Sequence, residues 1–329
     1  MKKSIVSIFV LVIFSLTSCK PTIKTESRSK SEILNDILKK HEEPSQFFKI
    51  ASDSLIKVVG EKGTVLIINP ADLITENGEE IKGNIDIELK ELTDQYQMFR
   101  TNTQTVSNGK LLVSGGSYFI NMKSNGKSVR LKEGKTLKVE FPKLTENQMS
   151  LFYGQRDSLG QMNWNPSPKK FEKKPKIDSI KCSSCGNINC RGSRIATPEE
   201  IEIADRLYAE IELSQLGWIN CDYFLDNTTN TNLTISFPSS DKIEVANLYL
   251  IFTDINSVIK NNYLDLGKAY NNVFHDIPLG AQVRLIAYTI KEKKTFSYSS
   301  SFTIKANENK TLVLKETSES EFRSLVSIK

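Results

Sequence analysis

Histidine is nearly missing from this 329-residue chain, which carries only His41 and His275. Two imidazoles cannot build a multi-histidine metal centre, and they leave little for histidine-based acid–base chemistry. Tryptophan is as scarce, with Trp164 and Trp218 alone. Neither sign of charge dominates. Lys plus Arg number 44 against 39 Asp plus Glu, a net charge of +5. An excess that small gives no clustered basic face, so no nucleic-acid partner is expected. Long apolar runs are also lacking beyond the first residues. With 39% hydrophobic and 25% charged residues, the composition excludes a disordered, collagen-like or polytopic membrane chain. The fingerprints G-x-S-x-G, H-E-x-x-H, the P-loop and the dinucleotide glycine motif do not occur either. No catalytic residue, no enzyme activity and no cofactor are inferred.

The first residues do carry a signal. Lys2 and Lys3 are followed by an uncharged stretch, Ser4 to Leu16. That is shorter than the roughly 20 apolar residues a bilayer span needs, and it fits the core of a signal peptide. Leu16-Thr17-Ser18-Cys19 then resembles a bacterial lipobox. The resemblance implies removal of residues 1–18, a diacylglyceryl group on the Cys19 thiol and acylation of its new amine. Each buried CH₂ contributes about 0.8 kcal/mol, so one chain anchors marginally and two or more hold a protein stably. Loss of Lys2 and Lys3 lowers the net charge from +5 to +3. Lys20 after the cysteine resembles lipoproteins delivered to the outer membrane. The basic stretch Lys20-Pro21-Thr22-Ile23-Lys24 points to the periplasmic face rather than the cell surface. The membrane, through Cys19, is thus the first expected partner.

The mature chain divides by texture. Residues 19–45 read as a polar tether and a short amphipathic helix, Ser31 to Glu43, with Ile33, Leu34, Ile37 and Leu38 on one face and Pro44 ending it. Residues 46–165 alternate apolar runs with turn signals. Strands are expected at Thr64–Ile68, Asn84–Leu92, Ser117–Met122 and Thr136–Phe141. The turns carry Asn77-Gly78, Asn108-Gly109, Asn125-Gly126 and Glu133-Gly134. Asn-Gly between alternating strands marks a tight hairpin, because both residues must take positive φ. An antiparallel β-sandwich follows. Residues 166–196 are rich in Lys, Pro and Cys and read as an extended linker. Residues 197–224 open with Thr197-Pro198-Glu199-Glu200, a helix start with a capping box, and continue into Gly217-Trp218-Ile219-Asn220-Cys221. Residues 225–329 return to strands at Leu233–Phe237, Val245–Phe252, Gln282–Ile290, Thr295–Ile304 and Thr311–Lys315, with Phe274–Gly280 as a turn and Ser318–Val326 as a closing helix. The expected fold class is therefore mainly β, with two antiparallel sandwich modules joined by a Cys-containing, partly helical segment.

Gly63–Ile68, Asn69-Pro70-Ala71, Glu76-Asn77-Gly78, Ile87–Glu91 and Leu112–Gly116 resemble a domain of Bacteroidota outer-membrane lipoproteins that is itself similar to the ZU5 β-sandwich. The Gly217–Asp222 string resembles the same lipoproteins. The resemblance implies a scaffolding or interaction module without catalysis.

With Cys19 lipidated, Cys182, Cys185, Cys190 and Cys221 remain. An even number in an oxidising compartment implies disulfides, with three pairings open. A Cys182–Cys221 bridge would contribute about 4 kcal/mol on the chain-entropy model. The zinc alternative uses the same four thiols, although C-x₂-C-x₄-C-x₃₀-C is not a usual ligand spacing. The expected role is a lipid-anchored envelope protein acting as a structural or protein-interaction module with an envelope protein partner. The alternative is a ligand- or glycan-binding lipoprotein beside an outer-membrane transporter. An exposed cluster of Trp164, Trp218 and Tyr223 would favour the alternative.

Overall fold

Two Asn-Gly pairs set the hairpins from which the first sheet grows. Asn108 and Gly109 lie at φ 48° and 82°, and Asn125 and Gly126 at 50° and 75°, the geometry of a primed two-residue turn. Between them runs one 15-residue strand, Lys110–Ser124. The structure, a computed structural model, describes residues 30–158, 160–174, 205–226, 229–264 and 272–327.

The elements up to the gap are α1 (Lys30–Lys39), β1 (Gln46–Ala51), β2 (Ile56–Val59), β3 (Val65–Ile68), β4 (Leu73–Thr75), β5 (Asn84–Leu92), α2 (Gln95–Arg100), β6 (Val106–Ser107), β7 (Lys110–Ser124), β8 (Lys127–Leu131), β9 (Leu137–Glu140), β10 (Ser150–Arg156) and β11 (Met162–Lys170). Beyond it come β12 (Ile211–Leu213), β13 (Gly217–Phe224), β14 (Asn230–Ser236), β15 (Val245–Phe252), β16 (Val258–Leu264), β17 (Val273–Pro278), β18 (Gln282–Lys291) and β19 (Lys294–Thr303). The chain closes with β20 (Glu308–Thr311), β21 (Lys315–Glu316) and α3 (Glu319–Ser327). The fold is mainly β, with several antiparallel sheets and few helices.

The first module packs a sheet ordered β1-β5-β7-β13-β10-β11 against a second ordered β12-β9-β3-β2. Their facing side chains, among them Leu66, Ile87, Tyr118, Phe141 and Leu151, form one buried core. The second module packs β16-β15-β18-β19-β21 over β17-β14-β20. Here β14 and β20 pair in parallel, Leu233 opposite Glu308. Strand β15 shows why its sequence reads as an unbroken apolar run. Leu248, Leu250 and Phe252 fill the sandwich core, while Tyr249 and Ile251 face the other way into a further cluster. A strand covered on both faces shows no alternation.

That further cluster joins the modules. It holds Leu34 and Leu38 of α1, Met98 and Phe99 of α2, Tyr249 and Ile251 of β15, Tyr288 of β18, and Phe322 and Val326 of α3. The N-terminal helix thus docks on the C-terminal module. Helix α1 stops at Lys39 rather than at Glu43. Pro44 forces extended backbone before it, and Glu42 and Glu43 leave the helix to pair with Lys90 and Arg100.

Four expectations change. Residues 217–224 do not lie between modules: β13 is a central strand of the first sheet, flanked by β7 and β10. Its middle residues are buried on both faces, which hides the strand period. Residues 166–170 belong to edge strand β11 rather than to a linker, an edge being where Pro166 and Pro168 cost no ladder bond. Residues 273–278 form strand β17, with the turn at Leu279-Gly280. The run Thr311–Lys315 divides between β20 and β21. The helix start at Thr197 and most of the linker lie outside the described residues.

Candidate functional site

Polar chemistry gathers in two places, a seam inside the first sheet and a cavity between helix α1 and the first module. The seam is made by the Leu112–Gly116 and Gly217–Asp222 strings. Strands β7 and β13 pair Ser114 with Asp222 and Ser117 with Asn220, with a bulge between Asn220 and Asp222. Asn220 Nδ2 donates to Asp222 Oδ2. Its Oδ1 accepts from Ser117 Oγ at 2.8 Å and Ser114 Oγ at 3.1 Å. Burial holds the Asp222 carboxyl well above the ordinary carboxylate range, and hydrogen bonds from Ser114 and Asn220 pull it back only in part. Gly116 sits at φ 122°, and a Cβ there would lie 2.4 Å from the Tyr118 hydroxyl, so the string needs glycine at this place. The β15–β16 loop of the second module locks the seam. Asn256 Nδ2 donates to Ser114 O at 2.8 Å, and Ser257 Oγ to Leu112 O at 2.6 Å.

The Ile87–Glu91 string is likewise structural on one face. The Glu91 carboxylate accepts from the backbone N–H groups of Lys62 at 2.8 Å and Thr64 at 3.0 Å. It thereby clamps the β2–β3 turn, closing one sheet onto the other. Lys90 faces the opposite side and pairs with Glu42.

On that opposite side lies a cavity of about 400 Å³ between α1, β5, the residues after α2, β7, β10 and β13. Trp218 and Phe119 form its aromatic wall, their ring centres 5.1 Å apart. The Arg156 guanidinium stacks over Trp218 at 5.1 Å. Its Nη1 donates to Asn102 O at 2.6 Å and Gly160 O at 2.9 Å, and its Nη2 to Thr101 O at 3.1 Å and Thr103 Oγ1 at 3.0 Å. All four acceptors are uncharged. Burial lowers the affinity of this guanidinium for its proton, against the pull of Glu42. Asn102, at φ 53°, accepts from the Tyr249 hydroxyl at 2.8 Å.

Behind the cavity wall Lys260 Nζ donates to Asn35 Oδ1 at 3.0 Å and lies 5.8 Å from the Tyr249 ring centre. Burial, with Arg156 nearby, pulls its ammonium down to about 7.

The three aromatic residues singled out in the sequence do not form one exposed platform. Trp164 is wholly buried and donates through Nε1 to Gln104 O at 2.6 Å. Tyr223 is half-buried, its hydroxyl accepting from Asn147 Nδ2 at 3.2 Å. Trp218 alone reaches the cavity. His275 and Asp276 are exposed neighbours on β17.

Cys221 needs a correction. Its thiol is free and wholly buried in the first core, against Tyr208 and beneath Gly115. A bridge to Cys182, or a place in a zinc site, would require a partner cysteine inside that packed apolar layer. Burial pushes the thiol well above its ordinary value, as expected of an inert core cysteine. Cys19, Cys182, Cys185 and Cys190 lie outside the described residues. Among the described residues no three His, Cys, Asp or Glu side chains converge as metal ligands, and no helix is long and apolar enough to cross a membrane. Arg156, Asn102 and Asn35 stand in no motif, and only Trp218 pointed toward the cavity. The chain matches no family model, no curated protein and no solved structure.

Proposed function

We propose that this chain is a lipid-anchored protein of the outer membrane, facing the periplasm, whose folded block serves as a structural or protein-interaction module for an envelope protein. The ZU5-like character of the first sandwich belongs to the same reading. One observation carries it. Helix α1 begins at Lys30, close behind the lipobox cysteine Cys19, and is built into the junction of both modules. Fully extended, the intervening residues reach no more than about 40 Å. A block held at its own centre by so short a leash stays near the bilayer and presents its outer sheets to neighbours, which suits a scaffold.

Radiolabelled palmitate fed to cells tests the anchor. The expected result is label in the protein, lost in Cys19→Ser, together with recovery in outer-membrane fractions and crosslinking there to a discrete envelope protein. A protein free of label, or one found in the cytosol, would overturn the reading.

A further inference from the structure

We propose that the cavity between helix α1 and the first module is a binding site for a saccharide bearing one carboxylate, with Trp218 taking a sugar face and Arg156 taking the carboxylate. This inference does not rest on the lipid anchor and would survive its failure.

Size is the first argument. About 400 Å³ falls inside the range of about 300–1,000 Å³ typical of small-ligand sites and admits one or two sugar rings. The second is the lining. Trp218 is half-buried and offers an aromatic surface, and beside it stand Asn35, Asp36, Asn102 and Glu88, the last with lone pairs beyond the bonds it accepts from Ser45 and Asn121. An aromatic wall ringed by short polar side chains matches the alternation of C–H faces and hydroxyls on a sugar.

Charge supplies the third argument and fixes the class. Lys90 is paired with Glu42 and Arg100 with Glu43. Arg156 is different, because its hydrogen bonds all go to carbonyl or hydroxyl oxygens. A largely desolvated cation with neutral partners is costly to keep. A carboxylate arriving in the cavity would offset that cost through the charge itself and through the Nε–H, the one donor those four bonds leave over. A dianion such as phosphate is disfavoured, since Asp36, Glu42 and Glu88 stand on the same walls.

The test is calorimetric titration of the full chain with methyl glucuronide against methyl glucoside, read in parallel by tryptophan fluorescence. Trp164 is wholly buried, so a ligand-induced change reports on Trp218. The glucuronide is expected to bind at least tenfold more tightly than the glucoside and to perturb the fluorescence. Arg156→Lys should weaken the glucuronide at least tenfold more than it weakens the glucoside. Because Arg156 also ties two loops, Asp36→Asn provides a second arm. Removing that negative charge from the rim should tighten glucuronide about threefold. The proposal is overturned if neither sugar binds at about 10 mM, the millimolar limit of weak recognition. Equal affinity for the two sugars, or no response of the glucuronide to either substitution, would overturn it as well.

Discussion

Two of the places where the molecule buries charge are treated in opposite ways. In the β7–β13 seam an acid, Asp222, lies wholly inside a sheet, held by Asn220 and Ser114. Burial favours its neutral form. At the junction two cations, Arg156 and Lys260, are held by neutral oxygens, and a cavity opens beside Arg156. The seam is closed chemistry that fixes strand register. The junction is open chemistry, with a guanidinium bonded to neutral oxygens, and drawn on by Glu42, next to open space.

The largest effect should come from breaking the junction itself. Phe99 is wholly buried and meets Tyr249 edge-on at 4.8 Å. Phe99→Ala is expected to cost about 3–5 kcal/mol, measured by urea unfolding. The seam should yield less. Asp222→Ala leaves the Asn220 amide N–H without its acceptor inside the sheet, for a loss of about 1–3 kcal/mol. A cost below a few tenths would show that the seam is not a closed network.

Protonation separates the two regions by sign. The folded-state value of Lys260 is lowered to about 7, so the unfolded chain binds the extra proton between about pH 7 and 10.4. Wild-type stability gains from this group as pH rises through that window and bears its full cost below pH 7. Lys260→Met should thus stabilise the fold by about 1–2 kcal/mol at pH 6, with the gain shrinking toward pH 10. A gain independent of pH would contradict the assignment. Asp222 runs the other way. Its folded-state value is raised, so its contribution is lost as pH climbs above the unfolded carboxylate value near 4. Relative to wild type, Asp222→Asn should gain on the order of 1 kcal/mol between pH 4 and pH 7, read from denaturation midpoints at each pH.

Local chemistry made much of the fold legible. Asn108-Gly109 and Asn125-Gly126 marked hairpins that the backbone confirms, and the alternation of Ile85, Ile87 and Leu89 marked β5 with its observed bounds. The face of α1 carrying Leu34 and Leu38 was visible as well. Pairing between distant segments was not. Nothing local says that Gly217–Phe224 enters between β7 and β10, because both faces of the strand are buried and the period vanishes. Pro166 and Pro168 looked like linker, since their tolerance on an edge depends on which side of the strand is paired. The site was least legible. Trp218 drew attention through its string, but Arg156, Asn102 and Asn35 converge only after helix α1 closes on the first module, a juxtaposition with no fixed spacing in sequence.

Scanning calorimetry of the full chain, wild type beside Leu38→Asp, tests most directly whether the junction makes one cooperative body of the two sandwiches. Leu38 is wholly buried among residues of both modules, and a lone carboxylate there has no partner. A single wild-type transition is expected, moved down as a whole by about 10 °C in the variant. Two separate transitions in wild type, or a first-module transition that ignores the substitution, would contradict it.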